Sequence, residues 1–322
     1  MQRLAPWIAL ALLLAGPLVL TPYTYDLVVK IMVLAVFALS LELLVGMTGL
    51  VSLGHAAFFG LGAYTTVLLS PEYDPGNALL QLAAAVGAAA LYALFVGALS
   101  LRTKGVYFIM VTLAFAQMAY FVFHDTKVGG GTDGIYLNVR PVAGPFDAGN
   151  KTHLYYGVAA ALVFTYGLLA LIRRSRFGHA LAGIRVNEQR MRAAGFPTFT
   201  YKLAAFTIAG GLAGLAGFLV AVKDGFVNPE MLSWHESGAV LLMLILGGIG
   251  RLSGAVLGAF AFALLQLFFQ WDAVFGPAAK HWQLLLGGTI IACVAFMPDG
   301  LIGLPAQIRG WLARRRGGGE RG

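Results

Sequence analysis

The sequence predicts an all-α polytopic membrane protein, a bundle of about 8–10 transmembrane helices. Three observations carry this. Of the 322 residues, 59% are hydrophobic and only 11% charged, against about a quarter charged in soluble domains. Ten apolar runs can be placed, near 6–20, 27–46, 53–70, 77–99, 105–123, 153–172, 201–222, 237–250, 252–270 and 281–297. The basic residues fall between those runs and largely on one side, as the positive-inside rule requires. A crossing takes about 17 to 25 residues, so the first and eighth runs are short, and one of them is expected to be re-entrant or interfacial.

Parity can be tested against charge. With Met1 on the cytoplasmic side and all ten runs crossing, the inner pieces are 1–5, 47–52, 100–104, 173–200 with Lys202 at its edge, Arg251 and 298–322. They hold 16 of the 22 basic residues and three acids, whereas the outer loops hold five basic residues and ten acids. One miscounted segment in the middle would invert everything downstream and destroy that split. The chain is therefore expected to be multi-pass, with both termini cytoplasmic. Residues 1–308 form one transmembrane domain and the arginine-rich 309–322 a disordered, lipid-facing tail.

Taken in order, the first run resembles a signal peptide but is followed by further spans, so it is read as a retained helix. The second contains the two charges left in the hydrocarbon, Lys30 and Glu42. They are twelve residues or about 18 Å apart on a helix and cannot pair. Lys30 is near the outer end and can snorkel. Glu42 is about one turn from the inner end; it is either capped by neighbouring backbone or a functional intramembrane carboxylate. Gly46–Tyr64 presents a small-residue row at Ser52, Ala56 and Gly60 that admits a second backbone, with the polar Ser52 and His55 at the mouth of a segment. The fifth run places Thr112 and Gln117 in mid-membrane, either bonding a neighbouring helix or lining a path.

The stretch 173–202 is the longest polar interruption, with seven basic residues and one acid, Glu188. From His179 to Ala194 it predicts one helix, with Leu181, Ile184 and Met191 toward one side and Arg185, Glu188, Arg190 and Arg192 over the rest. Further on, Gly210, Gly211, Gly214 and Gly217 form a close-contact row. A double small-residue row follows at Gly250, Gly254 and Gly258. Gly247-x-x-Gly250-x-x-Ser253 repeats the spacing of Gly46-x-x-Gly49-x-x-Ser52, as two structural repeats with a glycine break in each would do.

Several classes are excluded. The one cysteine, Cys293, lies in an apolar run and supports neither a disulfide framework nor a thiolate metal site. VGGGTDGIY lacks the GxxxxGK[ST] pattern and lies on the outer side, so no nucleotide site belongs to this chain. No HExxH, paired carboxylates or nucleophile elbow is present, so neither a catalytic residue nor a metal ligand is assigned. The net charge of +8 reflects topology rather than nucleic-acid binding, because the basic residues are not interleaved with stacking aromatics on a polar surface.

SLGHAAFFGLGAY, KGVYFIMVTLAFAQM, GGGTDGI, SRFGHALAGIRVNEQRMRAAGF followed by YKLAAF, AGLAG, LILGGIGRLSGAVLGA and MPDGLIGL together resemble, in that order, the LivM-type permeases of branched-chain amino acid ABC importers. The resemblance covers about residues 30–305. It implies a transmembrane subunit that works with a second, homologous permease, two cytoplasmic ATP-binding subunits that hold the ATP and Mg, and an outer-side solute-binding protein. It also implies that Ile184–Gly195 is the cytoplasmic coupling segment, with Ile184, Arg185, Asn187, Glu188, Arg192 and Gly195 as the ATPase-coupling candidates. Glu42, Ser52, His55, Thr112 and Gln117 are the candidates for the translocation path. The E-A-A triplet of the wider permease class is not literal here, since Gln189 and Arg190 follow Glu188. Branched-chain amino acids are the expected solute, urea or short amides an alternative within the class, and an ion-coupled transporter acting alone the alternative outside it.

Overall fold

The computed structural model describes residues 22–303, apart from 145 and 298. The expected first helix and the basic tail lie outside those residues. Twelve helices and four two-residue strands follow one another. The helices are α1 (Pro22–Glu42), α2 (His55–Leu68), α3 (Ala78–Ser100), α4 (Val106–Asp125), α5 (Lys151–Arg174), α6 (Arg176–Val186), α7 (Glu188–Ala193), α8 (Thr198–Asp224), α9 (Trp234–Gly247), α10 (Leu252–Phe269), α11 (Asp272–Phe275) and α12 (Trp282–Phe296). The strands are β1 (Ile135–Tyr136), β2 (Val142–Ala143), β3 (Phe146–Asp147) and β4 (Phe226–Val227).

Among the described residues, seven segments are long and apolar enough to cross a membrane. The run at 53–70 yields only the 14-residue α2, because Gly49–Gly54 is loop, and the run at 237–250 yields the 14-residue α9. The small-residue row expected from Ser52 is shortened for the same reason: Ser52 precedes the helix, and only Ala56 and Gly60 lie on it.

Burial separates the helices into a centre and a periphery. Of the most apolar stretch of the segment Thr24–Thr48, and again of Thr198–Asp224, 83% is enclosed, against 17% for Ala279–Phe296. A helix apolar all round can be enclosed on every side, and α1 is of that kind, with Val29, Val33, Val36, Phe37, Leu39, Leu41 and Leu44 all buried. Around α8 the contacts are made by missing side chains. A Cβ on Gly210 would stand 2.3 Å from the Ala93 Cβ, one on Gly214 2.4 Å from the Ala89 Cβ, and one on Gly217 2.0 Å from the Phe59 carbonyl oxygen. So α8 is clamped between α2 and α3 at backbone distance, where dispersion and close packing drive helix association. In α3 the buried stripe is Ala85, Ala89 and Ala93, while Leu80, Leu91 and Phe95 face outward.

The loops that charge assigns to one side do meet on one side. β1, from the loop after α4, pairs antiparallel with β4, from the loop after α8, in the register Ile135↔Val227. VGGGTDGIY thus forms two short turns that end in this ribbon rather than an open cradle. On the opposite face, α6 packs beneath the end of α1 and beside α8. Helix starts are set by sequence: Asn77, Asn150, Ser175 and Asn187 each accept a first-turn N–H with the side chain. The helix expected over 179–194 is therefore two helices. It starts earlier, at Ser175, and breaks at Asn187, whose extended backbone (φ −157°, ψ 98°) ends α6 and whose Oδ1 caps α7 at the Arg190 N–H.

Candidate functional site

Two constellations contain the sequence-predicted residues. In the first, α1 does not stop at Glu42 but continues through a wider π-helical turn, Leu43–Thr48, that ends at Gly49 with φ +73°. Turns of this kind are frequent at functional positions in helices. The chain then runs as loop to Gly54, whose position permits no side chain, since a Cβ would stand 2.3 Å from the Thr112 carbonyl oxygen. The start of α2 has no side-chain cap of its own, because Gly54 is its N-cap; the Ala56 N–H is bonded instead by Ser237 Oγ of α9 at 2.8 Å.

Around this loop Ser52, His55 and Thr112 come together, each buried. Ser52 Oγ accepts the Gly54 N–H at 3.2 Å. His55 Nε2 lies 2.8 Å from Ser40 Oγ, and its ring is stacked on Phe37 and edge-on to Phe58. Its Nδ1 is enclosed without a partner among the described residues. Thr112 sits in the buried stripe Phe108, Thr112, Ala116 of α4 and donates to the Ile109 carbonyl at 2.9 Å. Gln117 is one residue off that stripe and five residues, about 7.5 Å, further along; its Oε1 is buried and unbonded. Glu42 is not part of this group. Ser40 turns toward His55, and two residues on, about 200° around the helix, Glu42 faces the other way.

The second constellation lies where Glu42 points. Its side chain folds over Gly46, where a Cβ would be 2.0 Å from Oε1. The carboxylate lies against the backbone of Gly250 and in the field of Arg185 and Arg173, and its Oε2 is enclosed without a hydrogen bond. Arg185 of α6 donates from a guanidinium nitrogen to the Gly46 carbonyl. Its stem passes Gly49, with Cγ 3.2 Å from where a Cβ would stand, and the same guanidinium nitrogen is 3.9 Å from the corresponding point on Gly250. Gly250 has φ +90° and lies in the break between α9 and α10. Of the double row expected at Gly250, Gly254 and Gly258, only the last two pack helix on helix, against the Gly248 and Met243 carbonyls of the preceding segment.

The coupling candidates separate by direction. Ile184 is 4% exposed and packs inward with Leu181; Arg185 is exposed as a residue while its guanidinium reaches inward to the Gly46 carbonyl. Outward lie Val186, at 85% exposure, and Asn187, Gln189 and Arg190. Glu188 ties α7 to the start of α8: its Oε1 accepts from Arg192 at 2.7 Å, from Lys202 Nζ at 2.9 Å and from Thr198 Oγ1 at 3.2 Å. Burial pushes the Glu188 carboxyl up, but the bonds from Lys202, Arg192 and Thr198 outweigh it and hold the group below its ordinary value. Gly195, with φ +84°, turns the chain from α7 toward α8.

Sequence reasoning missed Ser40, Ser237, Thr198 and Lys202. Their signal was their polarity within or beside apolar runs, but only the fold supplies their partners. Among the described residues no group of three or more His, Cys, Asp or Glu is placed to hold a metal ion. One cavity of about 330 Å³ lies at the outer ends of α1, α8 and α10, lined by Asp26, Lys30, Lys223, Gln266 and Gln270, and another of about 390 Å³ is an apolar groove between α3, α5 and α8. Neither touches the path candidates.

The sequence matches the family model described as branched-chain amino acid transport system, permease component, over residues 23–294. It is 30% identical to the high-affinity branched-chain amino acid transport system permease protein LivM of Escherichia coli, over 94% of this chain and 75% of that protein. The xylose transport system permease protein XylH of the same species is 28% identical, over 41% of this chain and 34% of its own. The autoinducer 2 import system permease protein LsrC of Salmonella paratyphi B is 26% identical, over 40% and 37%. No solved structure matches. With its sequence matched by that family model over most of its length and seven apolar crossing-length segments among the described residues, the chain belongs to the permease components of branched-chain amino acid transport systems.

Proposed function

We propose that this chain is the transmembrane subunit of an importer that carries branched-chain or other small amino acids inward, driven by ATP hydrolysis on separate cytoplasmic ATP-binding subunits. The observation that carries the reading is the α6–α7 elbow. Its outward side offers Val186, Asn187, Gln189 and Arg190, while its inward side is fastened to α8 through Glu188 and to the end of α1 through Arg185. A surface that a partner can grip, fixed to the two central helices, is what an external motor needs. In this reading both termini are cytoplasmic, and a second permease and an outer-side binding protein complete the assembly.

The chain's own part in the cycle is mechanical. Docking and closure of the ATP-binding subunits displaces α7; Glu188 passes the displacement to Thr198 and Lys202, and so to α8. The bundle then exchanges one sealed face for the other, as alternating access requires. Ser52, His55, Thr112 and Gln117 become path residues when the loop 49–54 and α4 part. ATP and Mg are bound by the partners and supply the work; no nucleotide chemistry falls to this chain. The amino-acid reading is favoured over sugars or urea and short amides because LivM matches along nearly the whole chain, whereas the match to the xylose permease covers less than half.

The test is uptake by proteoliposomes containing this chain, its permease partner and both ATP-binding subunits, with labelled leucine, urea and xylose compared. Leucine uptake that requires ATP and the binding protein is expected. The enclosed, half-bonded Glu42 supports a second reading, ion-coupled transport by the chain alone. Uptake by this chain without ATP-binding subunits, driven by an ion gradient, would replace the first reading by the second.

A further inference from the structure

The two Gly-x-x-Gly-x-x-Ser motifs, about two hundred residues apart, end in the same place. In each, the middle glycine has a left-handed backbone, φ +73° at Gly49 and φ +90° at Gly250, which only glycine adopts without strain. In each it follows the end of one helical segment and precedes the start of the next. Arg185 reaches both breaks from the cytoplasmic elbow. It donates to the carbonyl of Gly46 in the π-helical turn, its stem lies along Gly49, and its guanidinium borders Gly250. A side chain on either glycine would meet it.

We infer that Arg185 is the pin that joins the cytoplasmic elbow to both helix breaks, and that it is a positioning residue for coupling rather than a contact for the ATP-binding subunits. The inference rests on the importer reading above and deepens it. Two features of the arrangement matter. A guanidinium has several donors in a fixed plane, so a shift of α6 is felt by the carbonyl it grips instead of being absorbed by free rotation. The carbonyl it grips belongs to the π-helical turn, and a wide turn is a site where a helix can change register locally. Glu42, folded over the same turn, lies beside both Arg185 and Gly250. When α7 is moved by a partner, α6 moves with it across the Asn187 break, and the pin displaces the end of α1 and the α9–α10 break together. The two halves of the repeat then respond as a pair.

The experiment compares Arg185→Gln, Arg185→Lys and Glu188→Gln in the full transporter in proteoliposomes. It reads three quantities: ATP-binding subunits retained on purification, ATP hydrolysed, and solute carried per ATP. Arg185→Gln is expected to retain the ATP-binding subunits and continue hydrolysis while solute carried per ATP falls about tenfold, inside the roughly 5- to 150-fold span of coupling between sites. Arg185→Lys, which keeps the charge but has neither the fork nor its reach, is expected to fall between Gln and the unaltered protein. Should Arg185→Gln fail to fold and insert, Arg185→Lys decides alone: reduced solute per ATP with ATP-binding subunits retained supports the pin, and an unchanged ratio overturns it. Loss of the ATP-binding subunits from a folded, membrane-inserted Arg185 variant also overturns it and makes Arg185 a docking contact. Failure of the importer reading itself is visible separately, because the unaltered chain would then retain no ATP-binding subunits.

Discussion

Glu188→Gln tests the elbow most directly. The substitution removes the one charge that faces Lys202, whose side chain is only 8% exposed, and Arg192, at 55%. Breaking a fully buried pair from one side costs about 3–5 kcal/mol, whereas an exposed pair contributes about 0.2–1 kcal/mol. Glu188 is itself 20% exposed, and glutamine keeps an acceptor for one of the three donors, so a local cost of about 1–3 kcal/mol follows, the range for leaving a buried polar partner unsatisfied. That corresponds to roughly five- to 150-fold more frequent opening of the segment. Hydrogen exchange on the transporter in lipid nanodiscs reads it: amides of α7 and of the first turn of α8 lose protection, while those in the middle of α8 do not change. Protection within about twofold of the unaltered protein would show that Glu188 does not hold the elbow. Acid gives an independent check on sign. The folded-state pKa lies below the ordinary 4.5, so the stabilisation is complete above that value and is lost as pH falls through the lower, folded one. Acidification below that range should loosen α7 in the unaltered protein and have no such effect after Glu188→Gln.

Three further outcomes follow from the packing. Gly217→Ala forces a Cβ to within 2.0 Å of the Phe59 carbonyl and should cost about 1–3 kcal/mol in thermal or denaturant unfolding; Gly87→Ala, with nothing within 4 Å, should stay within about 0.5 kcal/mol, and equal effects at the two sites would refute the close α2–α8 contact. Ser237→Ala strips the buried Ala56 N–H of its partner and should destabilise by about 1–3 kcal/mol, with a conservative Ser237→Thr retaining more of the stability; no difference from Ala would show that the hydroxyl is not the cap. Ser52→Cys should resist aqueous thiol reagents in the resting assembly and become labelled during ATP turnover, with solute protecting it; labelling in neither condition removes Ser52 from the path.

The spans were legible because hydrophobic length and the sign of loop charge are properties of the sequence itself. What ends a helix was legible only in part. Asn187 is a residue type that caps helices, and its side chain does cap α7, yet the apolar spacing of Leu181, Ile184 and Met191 runs across it and suggested one continuous helix. The loop 49–54 falls largely on the inner piece 47–52 between the apolar runs 27–46 and 53–70, and its glycines mark the break. The equal spacing of the two glycine motifs pointed to matching breaks, and both breaks are there, at Gly49 and Gly250. That one arginine reaches both depends on how α6 folds back under α1, which no local pattern contains. Glu42 likewise stood out as an intramembrane acid, but its neighbours come from three other elements, and its separation from His55 is a matter of two residues of helical rotation.

Enclosure of α1 and α8 has a consequence for where a solute can travel. Along α8, the main chain comes close to α2 and α3, because Gly62, Gly210, Gly214 and Gly217 leave at most an alanine Cβ between them. Rotamer changes widen a passage only where there are side chains to rotate. A lumen along that axis would require whole backbones to separate, with loss of these close contacts. Its solid middle gives stiffness, and any hollow wide enough for a solute must open off that axis.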